Sequence, residues 1–146
     1  MKVLNWTNSH IFIDDIQTAK FRNIQMTNQT LNAEGTTISV FGTCEIESTG
    51  FRDDFYGNFS FMMNIDREDF ERQAENDNKI QFNECTFFID VHNLKMSNRE
   101  WKYYIEKHLY DSRKERNDLT PDEISYCLHR ICDEIEAKSF GVEFNN

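Results

Sequence analysis

From residue 36 to residue 66 the chain reads TTISVFGTCEIESTGFRDDFYGNFSFMMNID, and a two-residue alternation runs through most of it. Ile38, Val40, Cys44 and Ile46 share one parity, and Ser39, Thr43, Glu45 and Glu47 share the other. Successive side chains of a strand point to opposite faces, so this is a strand with one face in a core. Phe41 interrupts the polar parity and Gly42 leaves a gap in the apolar one. Phe55, Phe59, Phe61, Met63 and Ile65 alternate in turn with Tyr56, Asn58, Ser60, Met62 and Asn64. Residues 48–54 between the runs have turn chemistry, with Gly50 free to take positive φ. The pattern predicts an antiparallel hairpin with one buried face, and Phe51 in its loop as a lid or a contact.

Short β-type runs at 1–6, 10–14 and 20–26 precede this hairpin. In the third the alternation slips between Phe21 and Ile24, which marks a bulge or a twisted edge. After the hairpin, Asp66 can cap a short helix running to about Glu75, with Glu68 and Asp69 at its positive end. Strand character returns over 79–91, but Ile80 and Phe82 share one parity while Cys85, Phe87, Ile89 and Val91 share the other. A bulge or tight turn at Asn83-Glu84 reconciles the two. Two helices close the chain, each opened by a capping-box pattern: Ser97 with Glu100, and Thr120 with Glu123, the latter with Pro121 at the first helical position. Trp101, Tyr104, Ile105, His108 and Leu109 form one apolar stripe, and Ile124, Cys127, Leu128, Ile131 and Ile135 the other. Gly141 is expected to end the last helix, before a short strand or tail carrying Val142 and Phe144.

Strands followed by helices, rather than alternating with them, predict a single α+β domain over 1–146. The expected architecture is an antiparallel sheet of about five to six strands, a short middle helix, and two C-terminal amphipathic helices packed on one face. With 13 Phe, the core is expected to be built from rings.

The formal net charge is −10, unevenly placed. Residues 27–94 hold thirteen acids against four basic residues, while 95–116 hold seven basic residues against four acids. An acidic chain repels nucleic acid at long range and attracts basic protein surfaces. Glu45 and Glu47 share the outer parity of their strand, Asp53 and Asp54 follow in the turn, and Asp69, Glu71, Glu75 and Asp77 lie on or after the short helix. Acids spaced along a strand by about 6–7 Å come near the phosphate spacing of nucleic acid, so such a face can imitate a phosphate track. These eight residues are the expected partner-binding set.

Catalytic chemistry finds less support. Cys127, His129 and Cys132 sit close in sequence, but on a helix only His129 and Cys132 have a spacing that shares a metal. Cys127 is expected in the core, Cys132 at its edge and His129 at the surface. Cys44 and Cys85 both lie on apolar parities and are read as small hydrophobes. Asp90 and His92 at a strand end, with Asp77 and Lys79, resemble the acid and base groupings of metal-dependent nucleases only in fragments. There is no GxSxG sequence and no Gly-rich phosphate loop. No catalytic residue, metal or cofactor is therefore expected.

The function expected from the residues is a small acidic interaction protein without an active site. Its concrete form is an inhibitor of the kind encoded by phages or mobile elements, similar in type to anti-CRISPR and other anti-defence proteins. Its partner would be a host nucleic-acid-binding protein with a basic surface, with no direct nucleic-acid or membrane contact. The alternatives are a metal-dependent nuclease using Asp90 and His92, or a virion or assembly subunit that self-associates through a sheet edge, a homodimer included. No signal segment or membrane span opens the chain, so a cytoplasmic setting is expected.

Overall fold

A computed structural model describes residues 9–14, 19–48, 55–75, 78–82, 85–135 and 139–144. In chain order the elements are β1 (Ser9–Ile13), β2 (Ala19–Leu31), β3 (Thr37–Ser48), β4 (Phe55–Asp66), α1 (Arg67–Ala74), β5 (Lys79–Phe82), β6 (Thr86–Met96), α2 (Asn98–Leu109), α3 (Pro121–Glu134) and β7 (Phe140–Phe144). The expected β3–β4 hairpin is present, paired from Thr37 opposite Asp66 to Glu47 opposite Tyr56. Its loop, with Phe51, Asp53 and Asp54, lies outside the described residues, as do the predicted strand at 1–6 and the turn at Asn83-Glu84.

The α+β class holds, but the strands divide into two antiparallel sheets rather than one. β2-β3-β4-β6 form the larger sheet and β1-β7-β5 the smaller. This division explains the parity switch between Ile80 and Cys85, because β5 and β6 belong to different sheets. The slip after Phe21 is a real irregularity: β2 shifts register between Arg22 and Gln25 and again between Met26 and Asn28, with Asn23 at φ 52°.

The inner parity of β3 and β4 is almost fully buried. It shares one core with Ile11 and Ile13 of β1, Ile80 and Phe82 of β5, and Phe140, Val142 and Phe144 of β7. Rings dominate the junction. Phe82 lies 5.2 Å from Phe140, and Phe70 of α1 stacks on Phe82 and meets Phe144 edge-on, both at 6.1 Å. Much of the cover expected from the two C-terminal helices is thus supplied by the smaller sheet. Of those helices, Tyr104, Ile131 and Cys132, with Ile135 just past the end of α3, reach this core. Trp101, Ile105, Leu119 and Cys127 instead make a second, smaller core between α2 and α3.

Both N-caps form, but only the second is the reciprocal box expected of each. Ser97 accepts from the Glu100 N–H at 3.2 Å, and Thr120 and Glu123 complete a reciprocal box. Gly141 does not end α3, which stops at Glu134; it lies within β7, opposite Phe12 of β1 and Gln81 of β5. A β-carbon there would run into the Phe12 ring and come 2.9 Å from the Ile80 carbonyl oxygen, so this glycine admits close strand approach rather than a helix stop.

His108 sits at the α2–α3 contact, 9% exposed. Its Nε2 lies 3.5 Å from Glu134 and makes no hydrogen bond among the described residues. Burial pushes its pKa below the ordinary histidine value, against the opposing pull of Glu134, and Lys107 and Arg130 add to the lowering. The unfolded chain therefore takes up this proton more readily than the folded one, and stability falls as pH drops below about 6.5. The thermal midpoint is expected to decrease between pH 7.5 and 5.5, and His108→Gln is expected to flatten that decrease. An equal decrease in the variant would assign the effect elsewhere.

Candidate interaction site

The register of the larger sheet decides what surrounds the predicted acidic track. Glu47 on β3 lies between Lys20 on β2 and Tyr56 on β4, and Tyr56 lies opposite Lys95 on β6. Glu45 lies between Arg22 and Asn58. The Tyr56 hydroxyl donates to Glu45; this bond, with burial and the charges of both glutamates, pushes the phenol's pKa up. The outer face at Glu45 and Glu47 is thus a mixed row of acids, bases and hydroxyls, not a run of carboxylates. Asp53, Asp54 and Asp77 lie outside the described residues.

Carboxylates gather instead at the opposite end of the strands. The turn between β2 and β3 is built by Asn32, whose side-chain oxygen accepts from the backbone N–H groups of Thr36 and Thr37 at 2.8 and 3.0 Å. Gly35 in this turn has φ 71°, a conformation that favours glycine. The start of α1 is tied to the turn: Arg67 donates its backbone N–H to the Thr36 carbonyl at 2.9 Å and its guanidinium to the Gly35 carbonyl at 3.3 Å. Asp66 caps α1 by accepting from the Asp69 N–H at 3.3 Å. Segments 32–36 and 66–75 thereby form one surface with six carboxylates against two guanidiniums.

Both guanidiniums are already engaged on α1, Arg67 with Glu71 at 3.0 Å and Arg72 with Asp69. Asp69 and Glu71, singled out from the sequence, are therefore ion-paired and half-buried. Glu75 is exposed, as are Glu34, Asp66 and Glu68, none of which belongs to the expected partner-binding set. The signal for these three was present in the charge count. Bringing them together required knowing that the β2–β3 turn and the start of α1 meet.

All four cysteines are free thiols. Burial pushes Cys44 up to about 12 and Cys132 up to about 11, so neither is a ready thiolate. Cys44 lies opposite Phe59, whereas Cys85 precedes β6 beside the Asn64–Thr86 pair, so the two are not neighbours. His92 falls at the register shift of β6 and hydrogen-bonds the Ser60 hydroxyl across the outer face, with Asp90 opposite Ser60. Among the described residues no three His, Cys, Asp or Glu side chains gather as a metal site. His129 is exposed and, with Asp90, Ser125 and Leu128, lines an open groove of about 340 Å³ between β6 and α3. No described helix is long and apolar enough to cross a membrane.

The class these features define is an α+β two-sheet domain with an acidic end and a sheet face that no described element covers. Comparison with protein-family models, curated proteins and solved structures finds no match to this chain.

Proposed function

We propose that this chain is an interaction module that docks a basic protein surface through its acidic end, in the manner of an inhibitor encoded by a phage or mobile element. The observation that carries this reading is the convergence of Glu34, Asp66, Glu68 and Glu75, all exposed, on one surface whose only two guanidiniums are already paired with Asp69 and Glu71. Such a surface presents uncompensated carboxylates to a partner. A protein that binds nucleic acid offers the matching array of Lys and Arg. The eight-residue helix α1 is held rigidly enough to act as a platform because Phe70 is fully buried beneath it.

Immobilised protein is expected to retain nucleic-acid-binding proteins from a bacterial lysate at low salt, and added duplex DNA is expected to release them. The double variant Glu68→Lys/Glu75→Lys changes only exposed positions and is expected to reduce capture at least tenfold with an unchanged thermal midpoint. Retention of no such protein, or capture indifferent to the charge reversal, would overturn the reading.

A further inference from the structure

The outer face of the larger sheet carries an apolar row that belongs to neither core among the described residues. Phe41 on β3 lies opposite Met62 on β4, and Met62 lies opposite Phe88 on β6. Phe88 is 53% exposed, Phe41 and Met62 are half-buried by their neighbours, and none of the three belongs to either hydrophobic core. Small polar residues flank the row on both sides, with Ser39 donating to Asn64 at 2.6 Å on one side and Thr43 and Ser60 on the other.

We propose that two copies of this chain pair face to face through this surface, making a four-on-four strand sandwich. Charge favours a second copy as the occupant. The whole chain carries −10 and repels itself, but this face sets Lys20, Arg22 and Lys95 against Glu45, Glu47, Asp66 and Asp90, so it is close to neutral. A two-fold axis lying along the apolar row sets Phe41, Met62 and Phe88 against their own counterparts. The same operation places Thr86 over Asp90, Asn64 over Ser60 and Asp66 over Asn58 of the second copy, so each carboxylate meets a hydroxyl or an amide and no like charges directly face each other. Area is sufficient: four strands and five rows of outward side chains span about 20 Å by about 30 Å, roughly 600 Å² per copy, which clears the ~1,000 Å² total of a specific interface.

The edges of this sheet are poorer candidates than its face. α3 packs along β6, with Cys132 accepting from the Val91 backbone N–H, and β2 is broken by its two register shifts. Of the acidic end, Asp66 lies at the margin of this face, whereas Glu68 and Glu75 lie on α1, so variants at Glu68 and Glu75 separate the two surfaces.

Sedimentation equilibrium over about 1–200 µM is expected to show the mass rising from 17.5 kDa towards twice that value. Phe88→Asp is expected to raise the dimer dissociation constant at least tenfold while leaving the thermal midpoint within about 2 °C, because the ring is exposed. Raising salt from 50 to 500 mM is expected to strengthen the dimer by screening the net repulsion, whereas capture by the acidic end weakens under the same change. The Glu68→Lys/Glu75→Lys variant is expected to dimerise at least as well as the parent, which separates failure of one surface from failure of the other. A wild-type monomer at 200 µM, or dimerisation unaffected by Phe88→Asp, would overturn the proposal. Binding of single-stranded oligothymidine that Phe88→Asp abolishes, without any dimer, would also overturn it by giving the face to nucleobases.

Discussion

Replacing Gly42 with alanine is expected to destabilise the protein by about 3 kcal/mol, the upper end of the usual cost of overpacking a core. Gly42 lies in the middle of β3 opposite Met26 and Phe61. A β-carbon there would collide with the Gln25 carbonyl oxygen and with the Phe61 ring, whose Cε1 is only 2.7 Å away. The carbonyl belongs to the Gln25–Met26 stretch of β2, which is flanked by a register shift on each side. The gap left in the apolar parity of β3 is therefore filled by a neighbouring ring and a neighbouring backbone. Losing glycine's freedom in the unfolded chain favours alanine by about 0.4–1 kcal/mol, too little to offset the collision. Thermal unfolding is expected to show a drop of about 10 °C. Adding Phe61→Leu is expected to recover only part of it, since the carbonyl is backbone and stays in place. A drop under about 3 °C for Gly42→Ala alone would mean that β2 relaxes away freely.

Local periodicity made the elements of this fold legible but not their company. Alternation located β3 and β4, the slip after Phe21 located the irregularity in β2, and side-chain chemistry located the starts of α1, α2 and α3. None of these signals names a pairing partner. β1 pairs with β7 across nearly the whole chain, Ser9 opposite Phe144, and nothing in either pentapeptide specifies the other. One sheet was therefore expected where two exist. The same gap governs the surface. Parity put Glu45 and Glu47 on one side of β3, but register put Lys20 and Arg22 beside them. Phe41 was visible as a break in a polar pattern, and only the pairing of β3, β4 and β6 turned it into a row with Met62 and Phe88. Glu34 and Glu68 stand far apart in sequence and share a surface because a turn carbonyl at Gly35 meets the Arg67 side chain.

The largest single effect is expected from Phe70→Ala, about 4 kcal/mol, a substantial share of the roughly 5–15 kcal/mol that holds a domain of this kind together. Phe70 is fully buried and is the only fully buried residue of α1. Its ring stacks on Phe82 of β5 and meets Phe144 of β7 edge-on, so it joins the helix to the smaller sheet. Eight residues are too few to be helical alone, and the Asp66 cap and the Arg67–Glu71 and Arg72–Asp69 pairs each contribute only tenths of a kcal/mol to about 1 kcal/mol. Removing the ring is therefore expected to release α1 before it unfolds the two sheets. In hydrogen exchange, amides of 68–75 should lose protection first, while those of β3 and β4 fall only with global stability. Capture of a basic partner should weaken beyond what the unfolded fraction explains, because the carboxylates of α1 no longer hold one arrangement. Phe70→Leu, which keeps most of the buried volume, is expected to retain both. Protection of α1 falling strictly in step with β3 and β4 would mean that the acidic end is part of one cooperative unit, and that Phe70 supports the whole core rather than this platform.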